Sequence, residues 1–197
     1  MKTKNKKIAQ KTPEKSDEIV FLKGKHVSLR PIEKEHIKYF LRWFNDQEVA
    51  HYITVFLPMT KGEEEKWVEE LTNKKHTDIT LLIVAENNTP IGNLGLHRID
   101  ARNRTATLGI TIGDKNYWGR GYGSEAIELL LSYAFNTLNL RKVCLSVIDF
   151  NERAIRCYEK CGFRVEGRLR EQLFRNGEYR DEVMMAIFER DWWQQKK

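Results

Sequence analysis

The sequence predicts an α/β fold in a single domain: a mixed, mostly antiparallel sheet flanked by helices on both faces. Three observations carry this. The apolar period alternates between strand-like and helix-like along the chain, in the order β-α-α-β-β-β-α-β-α-β-β. The strand Thr105 to Ile112 passes through a glycine-rich turn straight into an amphipathic helix. Two long segments, Phe163–Phe174 and Glu178–Phe188, meet across Asn176-Gly177, the strongest short hairpin signal.

Taken in order, Val20 to Arg30 reads as a first strand, with Gly24-Lys25 a turn within it. Pro31 introduces a helix over Glu33–Asn45, in which Ile37, Phe40, Leu41 and Phe44 keep a helical period. An irregular aromatic connection, Tyr52–Pro58, leads to a second helix, Lys61–Asn73, with Trp67, Val68 and Leu71 inward. Strands at Ile79–Glu86 and Ile91–Ile99 flank the tight turn Asn87-Asn88-Thr89-Pro90. After the polar loop Asp100–Arg104 comes Thr105–Ile112. Ser124 to Leu138 carries Ile127, Leu130, Leu131, Ala134, Phe135 and Leu138 on one stripe, a helix. Val143–Ile148 reads as a buried strand, and a short helix follows Asn151.

Composition narrows the function classes. The 197 residues suit one domain, and a hydrophobic fraction of 41% supplies one core. The net charge of +6 belongs to a tail: residues 1–15 hold six lysines against Glu14, leaving 28 basic and 27 acidic residues elsewhere. Residues 1–18 are therefore predicted to be a disordered Lys-rich tail and residues 19–197 the domain. A weak RNA or ribosome contact through that tail is one reading, and a solvated arm is the other. The N-terminus lacks the apolar region of a secretory signal, and no run approaches membrane-span length. Cys144, Cys157 and Cys161 have no histidine near in sequence, so free thiols in the cytoplasm are expected and no metal site.

The segment Asn116-Tyr117-Trp118-Gly119-Arg120-Gly121-Tyr122-Gly123-Ser124 carries the chemistry. A glycine-rich turn at a helix N-terminus aims backbone N–H groups at one anion, so the residues Trp118, Gly119, Arg120, Gly121, Tyr122, Gly123 and Ser124 form a candidate phosphate cradle. The spacing fits neither a dinucleotide fingerprint nor a Walker loop. It resembles the acetyl-CoA pyrophosphate loop of the GNAT N-acetyltransferases, Q/R-x-x-G-x-G/A. Trp118 stands at the first place, and Gly121 and Gly123 at the two small ones. Asn151-Glu152-Arg153-Ala154-Ile155-Arg156-Cys157-Tyr158-Glu159-Lys160-Cys161-Gly162-Phe163 resembles a second segment of the family, N-x-x-A-x-x-x-Y-x-x-x-G-F. Physically it is a short helix capped by Asn151 and ended by Gly162. The resemblance runs from about Leu29 to Phe188, is nearest the RimJ/RimL and spermidine-acetyltransferase branch, and matches the predicted element order to the GNAT fold.

That resemblance implies an acetyl-CoA-dependent N-acetyltransferase. It implies that Gly119 to Ser124 hold the pyrophosphate, that Ile110, Thr111 and Ile112 pair with the pantetheine amides, and that Asn151 bonds the pantetheine arm. It also implies that the strand carrying Ile110 splays from the strand carrying Leu145 to admit the pantetheine. Tyr158 is the implied general acid, since a phenol can donate to a departing thiolate; a core tyrosine is the plain alternative. Relatives often carry a glutamate base on the strand before the loop, where this chain has Thr107. His97 is the nearest titratable candidate, with an ordinary strand-edge histidine as its alternative. Glu86 and Asp149 are weaker candidates. Without a strong base, an α-amine is the easier acceptor: it is neutral at pH 7 in about one molecule in seven, against roughly one in 2,500 for an ε-amine. The expected acceptor is thus a protein N-terminal α-amine first and a polyamine or other small amine second. A non-catalytic acyl-CoA sensor is a further alternative. Trp43, Tyr52 and Phe56 are candidate substrate-pocket residues, though large aromatics near a helix end also serve as core. Trp192-Trp193 suit either a core lid or a homodimer face.

Overall fold

The structure, a computed structural model, describes residues 19–55, 57–73 and 77–196. The predicted tail, residues 1–18, and Phe56 lie outside these. The described residues open with β1 (Leu22–Lys23) and β2 (Val27–Pro31), so the segment read as one strand is broken where its turn at Gly24 was expected. Helix α1 (Ile37–Phe44) follows a 3-10 turn and buries Ile37, Phe40 and Trp43. A four-residue helix, α2 (Gln47–Ala50), was not predicted; it is capped by the Asp46 side chain, which accepts from Glu48 N–H. Helix α3 (Lys61–Asn73) leads to β3 (Ile79–Ala85), β4 (Pro90–Asp100) and β5 (Thr105–Ile112). Then come α4 (Tyr122–Asn136), β6 (Lys142–Ile148), α5 (Glu152–Lys160), the hairpin β7 (Arg164–Arg175) and β8 (Glu178–Phe188), and α6 (Glu189–Gln195).

Among the described residues eight strands form one sheet, in the order β1-β2-β3-β4-β5-β6-β8-β7. Every pairing is antiparallel except β5 with β6, which is parallel. Alternation along β3 shows why both faces are covered. Leu81, Ile83 and Ala85 join the core under α4, while Leu82 and Val84 face Phe40, Trp43 and Val68. On α4 the predicted stripe Ile127, Leu130, Leu131, Ala134 and Phe135 is buried, though the helix begins at Tyr122, two residues early. The unpredicted α6 docks Trp192 against Phe135, ring centroids 5.6 Å apart, and leaves Trp193 43% exposed.

Trp43 belongs to this second core. It is 3% exposed and edge-on to Phe40, and its indole fills the space beside Gly113. A Cβ on Gly113 would overlap the indole carbons. Gly113→Ala is accordingly expected to lower stability by about 1–3 kcal/mol, read as a reduced urea midpoint. An unchanged midpoint would mean that α1 yields freely to the methyl group.

Candidate active site

The parallel pair is short. Thr105, Ala106 and Thr107 pair with Lys142, Val143 and Cys144, and beyond that β5 and β6 separate. Each stays bonded on its other side, β5 to β4 as far as Ile112 and β6 to β8 as far as Ile148. The two halves of the sheet therefore diverge with their facing edges open. A cavity of about 510 Å³ fills the wedge, within the ordinary range for small-molecule sites. The splay expected between Ile110 and Leu145 is present.

One end of the groove is the glycine turn. Gly119 and Gly121 take φ values of +69° and +87°, a left-handed backbone that side-chain-bearing residues rarely adopt. Gly121 occupies the N-cap position of α4, so no capping side chain covers the first-turn N–H groups, and they face the groove. Trp118, Gly119, Gly121, Gly123 and Ser124 line it. Arg120 and Tyr122 do not. The Arg120 guanidinium lies 5.6 and 5.5 Å from the Tyr117 and Tyr122 rings, and the Tyr122 hydroxyl donates to Glu86 across 3.1 Å. These two residues shape the loop from behind, because alternate residues of a tight turn point to opposite sides.

Ile110, Thr111 and Ile112 form one wall along the free edge of β5. The Trp118 indole N–H donates to the Ile112 carbonyl at 2.6 Å, tying the turn to the strand. Asn151, 8% exposed, caps α5 by accepting from Ala154 N–H at 3.2 Å, and its Nδ2 makes no hydrogen bond among the described residues. Gly162, at φ +94°, ends the helix as predicted. Between them Tyr158 lines the groove at 8% exposure, packed on Phe163. Burial pushes its phenol well above the usual tyrosine range, with the neighbouring thiols adding to the shift, so it stays protonated at neutral pH.

His97 is not part of the lining but borders it. Its Nε2 lies 3.4 Å from where a Cβ on Gly109 would stand, and its Nδ1 is 3.5 Å from Asp78. The Thr107 hydroxyl accepts from Arg98 at 3.3 Å and is also outside the lining. Asp149 is paired with Arg180 at 3.1 Å. Of the substrate candidates, Tyr52 lines the groove, edge-on to Trp118 at 5.9 Å, whereas Trp43 is core: its helix turns it toward Leu82 and Val84 of β3 and toward Gly113. The sequence reading missed Glu182, Arg153 and Arg175, which also line the groove. Glu182 looks in sequence like any polar residue of an alternating strand. The Arg153 guanidinium covers the Trp118 ring at 3.8 Å and the Tyr52 ring at 5.1 Å. Among the described residues no group of His, Cys, Asp and Glu is disposed to hold a metal ion, and no helix is long and apolar enough to cross a membrane.

Comparison with known proteins fits this geometry. Residues 26–164 match the acetyltransferase (GNAT) domain family. The spermidine N(1)-acetyltransferase of Escherichia coli K12 is 34% identical over 167 residues, 83% of this chain and 86% of that one. The uncharacterized N-acetyltransferase p20 of Bacillus licheniformis is 29% identical over 169 residues, 84% and 94% of the two chains. The crystal structure of spermidine N-acetyltransferase from Vibrio cholerae with CoA and spermine superposes with a TM-score of 0.78 at 26% identity, covering 85% of this chain and 98% of that one. A wedge opened by two parting strands, with a glycine turn at its mouth, suits a long thin thioester ending in phosphates. This chain belongs to the GNAT family and is an acetyl-CoA-dependent acetyltransferase.

Proposed function

We propose that the acceptor is a primary amine of a polyamine or a similar small polycation. Glu182 carries this reading. Its carboxylate lines the groove from β8, half-buried, and makes no hydrogen bond or ion pair among the described residues. A half-buried anion gains from a cation brought by the ligand. A polyamine brings one, because its other nitrogens stay charged after the reacting nitrogen loses its proton. Arg175, on the same side, directs its guanidinium to the Ile53 and Phe174 carbonyls at 3.0 and 3.2 Å. The names of the Escherichia coli and Vibrio cholerae relatives support the same class.

In this reading the first turn of α4 holds the pyrophosphate and the free edge of β5 pairs with the pantetheine amides. Asn151 Nδ2 donates to a pantetheine carbonyl. The neutral amine attacks the thioester carbon, and a β5 backbone N–H meets the developing oxyanion. His97, oriented by Asp78, accepts the amine's proton. Tyr158 gives its phenolic proton to the departing thiolate. A second reading, a protein N-terminal α-amine as in the RimJ/RimL branch, is favoured by Thr107, which puts no carboxylate where relatives often carry a base.

CoA release measured against spermidine, spermine and N-terminal peptides separates the two. Turnover with the polyamines and little with peptides is the expected result, and the reverse overturns the polyamine reading. Glu182→Gln should raise KM for the polyamine about tenfold, equivalent to about 1.4 kcal/mol, with KM for acetyl-CoA unchanged. An unaltered polyamine KM would remove Glu182 from the acceptor site.

A further inference from the structure

Two sulfurs that acetyl transfer does not use converge on the phosphate cradle. Ser124 is the third residue of α4, inside the turn whose N–H groups face the groove. Cys157 Sγ lies 3.2 Å from Ser124 Oγ, and Cys161 Sγ lies 3.7 Å from the Ser124 carbonyl oxygen. Cys157 lines the groove, while Cys161 is 3% exposed. The neighbouring Cys161 thiol, the Ser124 hydroxyl and the Lys160 charge favour a thiolate at Cys157, holding it below the ordinary thiol range. The positive end of the α4 dipole acts in the same direction. Cys144, in contrast, is pushed up by burial, and Cys161 by the neighbouring Cys157 and by burial. Arg153, Arg156 and Lys160 line this end of the groove, so an anion entering it meets positive charge.

We propose that Cys157 is a site of reversible modification by anionic low-molecular-weight disulfides, and that the modified and CoA-bound states exclude each other. The Cys157 thiolate attacks one sulfur of the disulfide RSSR. The S–S bond breaks, RS⁻ leaves, and Cys157 is joined to the other half as Cys157–S–S–R. One protein sulfur is oxidised as one half of the reagent is reduced. The R group then occupies the space beside Gly123 and Ser124 that the CoA pyrophosphate needs. Cys161, buried and protonated, does not displace it, so the mixed disulfide persists until an external thiol reverses the exchange. The exclusion rests on the assignment of the cradle to CoA.

The test uses the full chain and dithiobis(nitrobenzoate), a dianionic aromatic disulfide whose released thiolate is read by absorbance. One thiol should react about tenfold or more faster than the others, map to Cys157 by mass spectrometry, and be protected by saturating CoA. The treated protein should no longer bind CoA in calorimetry and should recover with dithiothreitol. Cys157→Ser should lose the fast phase, Cys161→Ala should slow it, and Cys144→Ala should leave it intact. Neutral hydroxyethyl disulfide should react about tenfold more slowly than the dianion relative to a free thiol. A fast phase at Cys144, modified protein that still binds CoA, or no protection by CoA that demonstrably binds would overturn the proposal. Failure of untreated protein to bind CoA would instead remove the cradle assignment, and the exclusion with it.

Discussion

Replacing Tyr158 with Phe is expected to lower kcat about a hundredfold while leaving KM for acetyl-CoA within a factor of about two. The phenol sits on the buried side of α5, packed against Phe163 with ring centroids 6.0 Å apart. Phenylalanine keeps the ring and its contacts and removes only the proton donor. Because burial holds the phenol protonated well past neutrality, the loss should be constant across pH 6–9 and appear in kcat. The thiolate can still leave unaided, its conjugate acid lying near 8.5, so activity is slowed and not abolished. Steady-state kinetics at several pH values provide the check. A change confined to KM, or a loss below about threefold, would make Tyr158 a packing residue.

The second large effect concerns stability and lies on the opposite face of the sheet. Glu64 in α3 is 1% exposed, and its Oε2 has no hydrogen-bond partner among the described residues. Burial, with a smaller contribution from the Glu63 charge, pushes its carboxyl up from 4.5 to about 7. The unfolded chain ionises this group near 4.5, whereas the folded chain resists until about 7. Ionisation therefore costs nothing below pH 4.5, costs progressively more through the window 4.5–7, and reaches its full value above it. The full cost is about 3 kcal/mol. Glu64→Gln and Glu64→Leu should match the parent near pH 4.5 and be more stable than it at pH 8, in urea titrations at both values. Parallel stability–pH curves for parent and variants would show that Glu64 ionises in the fold as freely as in water.

The site was legible in the sequence to the extent that its physics is local. Gly121 and Gly162 take left-handed conformations where the reading put a tight turn and a helix end. Asn151 caps α5 through a bond to the N–H three residues on. The stripe on α4 was visible because it repeats at the helical period, and the hairpin because Asn176-Gly177 supplies its turn locally. The short α2 and α6 escaped because four and seven residues are too few to display a period.

What the amino-acid sequence alone determined, then, is the order of the longer elements, the glycine cradle with the helix behind it, and the capped helix carrying Tyr158. Each depends on neighbours within a turn or two of chain. Only the tertiary structure decided which residues share the groove. Trp43 and Tyr52 are nine residues apart in similar aromatic surroundings, yet one fills the core beside Gly113 and the other lines the wedge. Glu182, Arg153 and Cys157 reach the site because β8 enters the sheet between β6 and β7 and because α5 packs over the parting of β5 and β6. Those are contacts between segments distant in the chain. They are set by which faces pack and which strand edges stay open, and no short stretch of sequence encodes them.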